Sequence, residues 1–291
     1  MKSTRELRRR IRSISNTAQI TRAMQMVASS KMRKAQQAAL AGRPFVQLLY
    51  RIQRAAATHM GDLSHPLLEV REVRKRGIIL VAADKGLCGA LNSNLFRLAS
   101  QYDPASTVFI AAGRKAAQFV ARSQRQLVAE FPYGDSPRFP EARAIASCAT
   151  DLFLKGEVDQ VLVIGTAFVN TLTQRATCLQ YLPIGEIRAM QVPGMALRPQ
   201  QEERHTQATE FLFEPSPEHI LNYLFYGYLN IFIYQVLLTA KASEQSARMV
   251  SMKNATESAE DLIKQLTLEL NQLRQGNITQ ELLEIAGGQA G

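Results

Sequence analysis

The residues best placed to do chemistry stand in "DKGLCGALNSN", Asp84 to Asn94. This glycine-bearing turn follows an apolar run and opens a helical one, where a doubly wound fold would seat a phosphate on a helix N-terminus. It has neither the G-x-G-x-x-G nor the G-x-x-x-x-G-K-[ST] spacing, and no acid stands where it would hold a ribose. Asp84 and Lys85 could form a catalytic pair, but no nucleophile–base–orienter set accompanies them. The stretch therefore reads as a structural strand-to-helix turn. Cys88, Cys148 and Cys178 make an odd count with no close pair, and His59, His65, His205 and His219 are scattered. Such spacing makes neither a zinc site nor a disulfide framework, so the cysteines read as small buried apolar residues. No catalytic, cofactor-binding or metal-ligating residue is assigned, and no cofactor is expected.

What the sequence offers instead is charge placed asymmetrically on long helices. The chain has 291 residues, 46% hydrophobic and 21% charged, with a net charge of +10. Residues 1–41 hold ten Lys or Arg (Lys2, Arg5, Arg8, Arg9, Arg10, Arg12, Arg22, Lys31, Arg33, Lys34) against the single acid Glu6. Such an arm suits an acidic partner: nucleic acid, anionic lipid or an acidic protein surface. It contains no aromatic residue, so the stacking platforms of single-strand binders are missing. The methionines and alanines of "ITRAMQMVASSKMRKAQQAAL", Ile20 to Leu40, point to packing rather than groove reading. Nucleic-acid binding stays open on charge alone, and a salt-dependent shift of DNA mobility is its sign. The arm is Arg- and Ser-rich like a transit peptide, but its helical pattern runs to about Leu40 without a cleavage-like break, so it reads as mature protein.

The elements that carry these residues follow from periodicity. From Leu7, steps of four and three reach Ile11, Ile14, Ala18, Thr21, Gln25, Ala28, Met32, Ala35 and Ala39. From Ala242 they reach Gln245, Met249, Met252, Thr256, Ala259, Ile263, Leu266, Leu270 and Leu273. Both are coiled-coil seams of period 3.5. Their bulk runs in opposite senses, so antiparallel pairing sets large against large and small against small. A C-terminal helix from about Glu218 to Glu284 would span on the order of 100 Å against about 60 Å for the first. It must therefore project beyond its partner, and another chain must cover the projection.

Between the seams, strands are expected at Arg76–Asp84, Ser106–Gly113 and Asp159–Phe168, with later ones in "TQRATCLQYLPI" and "TEFLFEPSP" around a polar loop at Met190–Gln207. Helices are expected at Asn92–Ser100, Arg114–Val128 and Glu141–Lys155. Apolar strands alternating with helices indicate a mostly parallel sheet covered on both faces. The expected architecture is a long antiparallel coiled coil with an inserted Rossmann-like α/β domain: helix 1–60, α/β domain 61–216, helix 217–291. Ile220–Ala240 carries no charge and is long enough to cross a bilayer. Its Asn222, Asn230, Gln235, Thr239 and four tyrosines argue for a helix buried in protein.

"ITRAMQMVASSKMRKAQ", "DKGLCGALNSNLF", "SEQSARMVSMKNAT" and "NITQELLEIAGG" together resemble the gamma subunit of F-type ATP synthases, in order and at family spacing. The resemblance covers 1 to about 286. It implies a non-catalytic central rotor shaft that couples transmembrane proton or sodium flow to ATP synthesis and hydrolysis. The implied partners are the alpha and beta subunits of the ring, the epsilon subunit and the ring of c subunits. Membrane association would be indirect, as a peripheral protein on the cytoplasmic face of a bacterial plasma membrane, without a transit peptide. Carried over by residue, Met24 matches the family methionine near the acidic beta loops. Arg274, Gln275, Thr279 and Glu281 match the polar cluster that engages beta, and Lys85–Asn92 matches a turn of structural role. Family members often carry charges where this chain has Ile220–Ala240, and the plant-type cysteine insert is absent, so thiol control is not implied. The rival readings are a basic coiled-coil nucleic-acid binder and a small-molecule enzyme using the α/β domain; nucleotide binding by the isolated chain would favour the latter.

Overall fold

The computed structural model describes residues 3–42, 65–184 and 217–288, with side chains in the last helix from Asn222 to Gln280 and at Leu282 and Leu283. In chain order the elements are α1 (Thr4–Ala41), a 3-10 turn (Pro66–Leu68), β1 (Arg76–Val81), α2 (Leu91–Ala99), β2 (Thr107–Ala112), α3 (Arg114–Arg122), β3 (Gln126–Phe131), α4 (Phe139–Leu154), β4 (Gln160–Phe168), β5 (Gln174–Leu182) and α5 (Pro217–Gly288). They divide into two units, Met1–Ser29 with Arg248–Gly291, and Ser30–Ala247. Residues 43–60 of the expected first helix, the polar loop at 190–207 and the expected strand at 209–217, save Pro217 that opens α5, lie outside the described residues.

In the first unit, α1 starts on a capped turn and runs uninterrupted because it holds neither glycine nor proline. Ser3 Oγ accepts from the Glu6 amide at 3.2 Å, which satisfies one of the orphan donors of the helix start. The two helices meet at a buried polar rung, where the Thr21 and Thr256 hydroxyls lie 2.7 Å apart. Each hydroxyl is also within reach of a carbonyl of its own helix, Ala18 and Met252, so one donates across the pair while the other donates to its own carbonyl, and neither is left unpaired. Arg22 and Glu260 form an ion pair one step away. Leu7, toward the start of α1, and Leu266, toward the end of α5, are both buried. Burial of both bulky ends is what the antiparallel arrangement requires. Every seam residue from Leu7 to Ala28 and from Met249 to Leu273 is buried or half-buried, whereas Ile20, Met26 and Val27 off the seam are exposed.

The second unit is built on a sheet of order β3-β2-β1-β4-β5. β1 pairs in parallel with β2 and β4, β2 with β3, and only β5 runs antiparallel, against β4. Strand alternation sorts the core into two layers. Ile78, Leu80, Phe109 and Ala111 face α2 and α3 through Leu91, Leu95, Ala116 and Val120. Ile79, Val81, Ile110 and Val163 face α4 and the early part of α5, through Ile145, Phe153, Phe225, Phe232, Ile233 and Leu237. This accounts for the uncharged stretch from Phe225 to Ala240, most of whose side chains are buried or half-buried. By length and composition α5 could cross a membrane, yet 67% of that apolar window is buried in the protein. Within α5, Asn222 bonds His65 Nε2 at 3.1 Å, and the Leu229 carbonyl accepts from the Tyr181 hydroxyl at 3.3 Å.

One element differs from expectation. The helix expected at Arg114–Val128 ends at Arg122, and Gln126–Phe131 forms β3. Gln124 at φ 52° breaks the helix, and the chain turns back to pair with β2. Edge position explains why the signal was weak. β3 is mostly exposed and lacks the continuous apolar run of β1 and β2.

Candidate functional site

The turn after β1 is where catalysis would sit, and there Asp84 and Asn92 hold backbone amides. The Asn92 side chain accepts from the Ala83 amide at 3.2 Å and donates to Cys88 Sγ at 3.5 Å. Asp84 Oδ1 accepts from the Arg114 amide at 3.0 Å, so the carboxylate caps α3. Gly113 has φ 93°, and a Cβ there would stand 2.2 Å from the Ala82 carbonyl oxygen. That oxygen also accepts from the Tyr133 hydroxyl at 2.9 Å. Burial raises the Tyr133 phenol well above its ordinary pKa, so it serves as a neutral donor. Among the described residues no three His, Cys, Asp or Glu converge as metal ligands. The cysteines form no disulfide; Cys178 sits 3.1 Å from the Tyr102 hydroxyl, whose pKa is pushed up to about 12, by burial first and by that contact second.

The five residues singled out by sequence all belong to the first unit, but they do not form one site. Met24 is half-buried on α1, one turn from Thr21. Arg274 lies on α5, 18 residues beyond Thr256, a rise of about 27 Å along that helix. The two zones are separate stations along the helix pair. Arg274, Gln275 and Thr279 are exposed. Arg274 makes no ion pair among the described residues. Thr279 Oγ1, however, donates to the Gln275 carbonyl at 2.9 Å. The Thr279 hydroxyl proton is thus satisfied within the chain, while the lone pairs of that hydroxyl stay open. Glu281 falls in α5, and its side chain lies outside the described residues.

The surroundings of that zone are informative. From the Thr256 rung, α5 continues 32 residues to Gly288, about 48 Å, while α1 runs back only 17 to Thr4, about 26 Å. On the excess, Ile278, Leu282 and Leu283 are 45%, 61% and 68% exposed. An apolar row beside exposed Arg, Gln and Thr is the composition of an interface rather than of a solvated helix end.

Sequence reasoning missed one charged group in the second unit. Lys241, on α5, has a side chain 2% exposed, 3.0 Å from Glu244 Oε2 and 3.8 Å from Asp135 Oδ1. Its ammonium lies 4.9 Å from the centre of the Tyr133 ring. The other oxygen of Asp135 accepts from Lys31 of α1 at 2.5 Å. That bond, with the charges of Lys31 and Lys241, holds the Asp135 carboxyl below the usual range. In sequence, Lys241 and Glu244 read as an ordinary helix-surface pair three residues apart. Nothing local shows that Asp135, in the loop after β3, would close over them.

Comparison with known proteins bears on the whole chain. A family model described as ATP synthase matches residues 3–291. A protein of Opitutus terrae named ATP synthase gamma chain is 46% identical over 99% of this chain and 98% of its own length. One of the same name from Methylacidiphilum infernorum is 41% identical over 99% of both. Among solved structures, a chain of the Euglena gracilis mitochondrial ATP synthase rotor superposes with a TM-score of 0.67 at 16% identity, over 94% of this chain and 98% of that one. A chain of the Tetrahymena thermophila mitochondrial ATP synthase central stalk and c-ring gives 0.59 at 24% identity, over 81% and 99%. These two likenesses speak to the fold.

Proposed function

Since this chain belongs to the ATP synthase gamma-chain family, we propose that it is the central shaft of a rotary ATP synthase, turning inside a ring of alpha and beta subunits. It carries no catalysis of its own. It transmits rotation between the membrane sector and the catalytic ring, with epsilon and the ring of c subunits at its foot. In that role 1–60 and 217–291 are the two legs of the shaft and 61–216 the foot. The observation that carries the reading is the excess of α5 over α1, with polar and apolar side chains left exposed on it. A nucleic-acid binder or a small-molecule enzyme has no use for such a projection, and Asp84 and Asn92 of the turn after β1 are committed to backbone amides. Small and flexible seam residues suit an axle, because alanine and methionine give shallow contacts that adapt without a deep interlock.

The complex is membrane-associated, and the finer location we propose is peripheral, on the cytoplasmic face of a bacterial plasma membrane. The buried packing of Phe225–Ala240 supports attachment through partners rather than through lipid. Washing membranes with low-salt EDTA should therefore release this chain together with the nucleotide-binding ring. Release by detergent alone would overturn both the location and the soluble-shaft reading.

Met24, Arg274, Gln275, Thr279 and Glu281 are proposed as contacts to beta subunits. Met24 lies on the strongly basic first helix, so Met24→Lys adds a cation opposite the proposed acidic loops. The expected result is an assembled complex that hydrolyses ATP but takes up fewer ions per ATP. Loss of hydrolysis and uptake in equal proportion would remove Met24 from coupling.

A further inference from the structure

We propose that Asp135 is a positioning residue that fastens both long helices to the α/β domain, so that rotation of the domain is carried to α1 and α5 together without slip. This rests on the shaft reading above. One carboxylate serves two cations from two elements: Oδ2 takes Lys31 of α1, and Oδ1 faces Lys241 of α5. The loop that bears it is fixed in turn, because Tyr133, two residues earlier, bonds the Ala82 carbonyl at the end of β1 and presents its ring to the Lys241 ammonium. Sheet, first helix and last helix thus converge on one side chain.

The reason for a charged fastening lies in the seam around it. Ala28, Met32, Ala35 and Ala39 offer little relief to resist sliding or rolling of α1. Apolar contact is non-directional, whereas a two-sided ion pair fixes position along and around the axis. The Lys31 side of the bridge is partly exposed, at 39% and 53%, and alone would contribute little. Lys241 is 2% exposed, so its attraction to Asp135 is weakly screened. Glu244 balances Lys241 within the helix at 3.0 Å, and this pair survives loss of Asp135. D135N should therefore fold, which makes it the informative variant.

The test uses whole complexes in sealed vesicles, assembled with wild-type, D135N or D135E chains. ATP hydrolysis and ATP-driven ion uptake are measured on the same preparation while the opposing gradient builds. D135N should assemble normally and hydrolyse ATP within about twofold of wild type, yet take up two- to threefold fewer ions per ATP, the gap widening as the gradient rises. D135E, which keeps the charge, should restore most of the uptake. Wild-type uptake per ATP in D135N at every gradient overturns the fastening. So does equal loss of hydrolysis and uptake, which would mark Asp135 as structural only. A wild-type complex that hydrolyses ATP without any uptake in sealed vesicles overturns the shaft reading, and the proposal with it.

Discussion

Ile233→Asp should leave little or no folded chain. Ile233 is fully buried in the layer between the sheet and α5, among Phe232, Val236, Leu237 and the strand residues Ile79 and Val163. Burial of isoleucine contributes about 1.5–3 kcal/mol, and that is lost. An unpaired carboxylate at the same point costs several kcal/mol more, or must stay protonated at neutral pH. Together these approach the 5–15 kcal/mol or so by which a domain is stable. Tyr223→Asp, ten residues earlier on the same helix at a side chain 80% exposed, should shift stability by no more than about 0.5 kcal/mol. Expression and thermal unfolding of the two variants check this. If Ile233→Asp unfolds at the wild-type temperature, the uncharged stretch is not the core of the domain.

Replacing Arg274, Gln275 and Thr279 by alanine should slow steady-state ATP turnover several-fold while leaving the amount of assembled complex nearly unchanged. The three are exposed on α5 just after Leu273, where the seam ends. Their substitution removes nothing from the packing of this chain. A charge-assisted hydrogen bond to a partner is worth about 1.5–3 kcal/mol, and about 1.4 kcal/mol changes a rate tenfold. If such bonds form in one rotary state and break in another, their loss shifts the balance between states. The three residues should not count equally. Arg274 makes no ion pair among the described residues and should dominate. Thr279→Ala alone should have the smallest effect, because the hydroxyl proton is already given to the Gln275 carbonyl. Wild-type turnover in the triple variant would exclude this zone from partner contact.

Much of the fold was legible because its signals repeat. The period of 3.5 from Leu7 and again toward Leu273 marked residues that are indeed buried or half-buried, since a seam is read many times over. Continuous apolar runs marked β1, β2 and β4, the strands buried on both faces. β3 escaped because an edge strand needs no such run, and "ARSQRQLVAEF" has helical composition until Gln124 turns left-handed. For the candidate site the limits were different. That the last helix outruns its partner was readable from helix length, whereas Arg274 and Gln275 themselves were singled out by the family resemblance. The fastening at Asp135 was not legible, because its partners lie 104 residues before it and 106 after, joined only once the sheet is built. Long-range ion pairs leave no periodic trace.

As the proposed shaft, this chain must turn. Complexes held to a surface through their beta subunits, with a visible probe fixed to this chain through the exposed Leu127–Val128 edge of the α/β domain, test this most directly. On addition of ATP the probe should rotate in one direction, stop when ATP is removed, and slow in the Arg274, Gln275 and Thr279 triple-alanine complex. A probe that stays still while the same complexes hydrolyse ATP at their full rate would contradict the account.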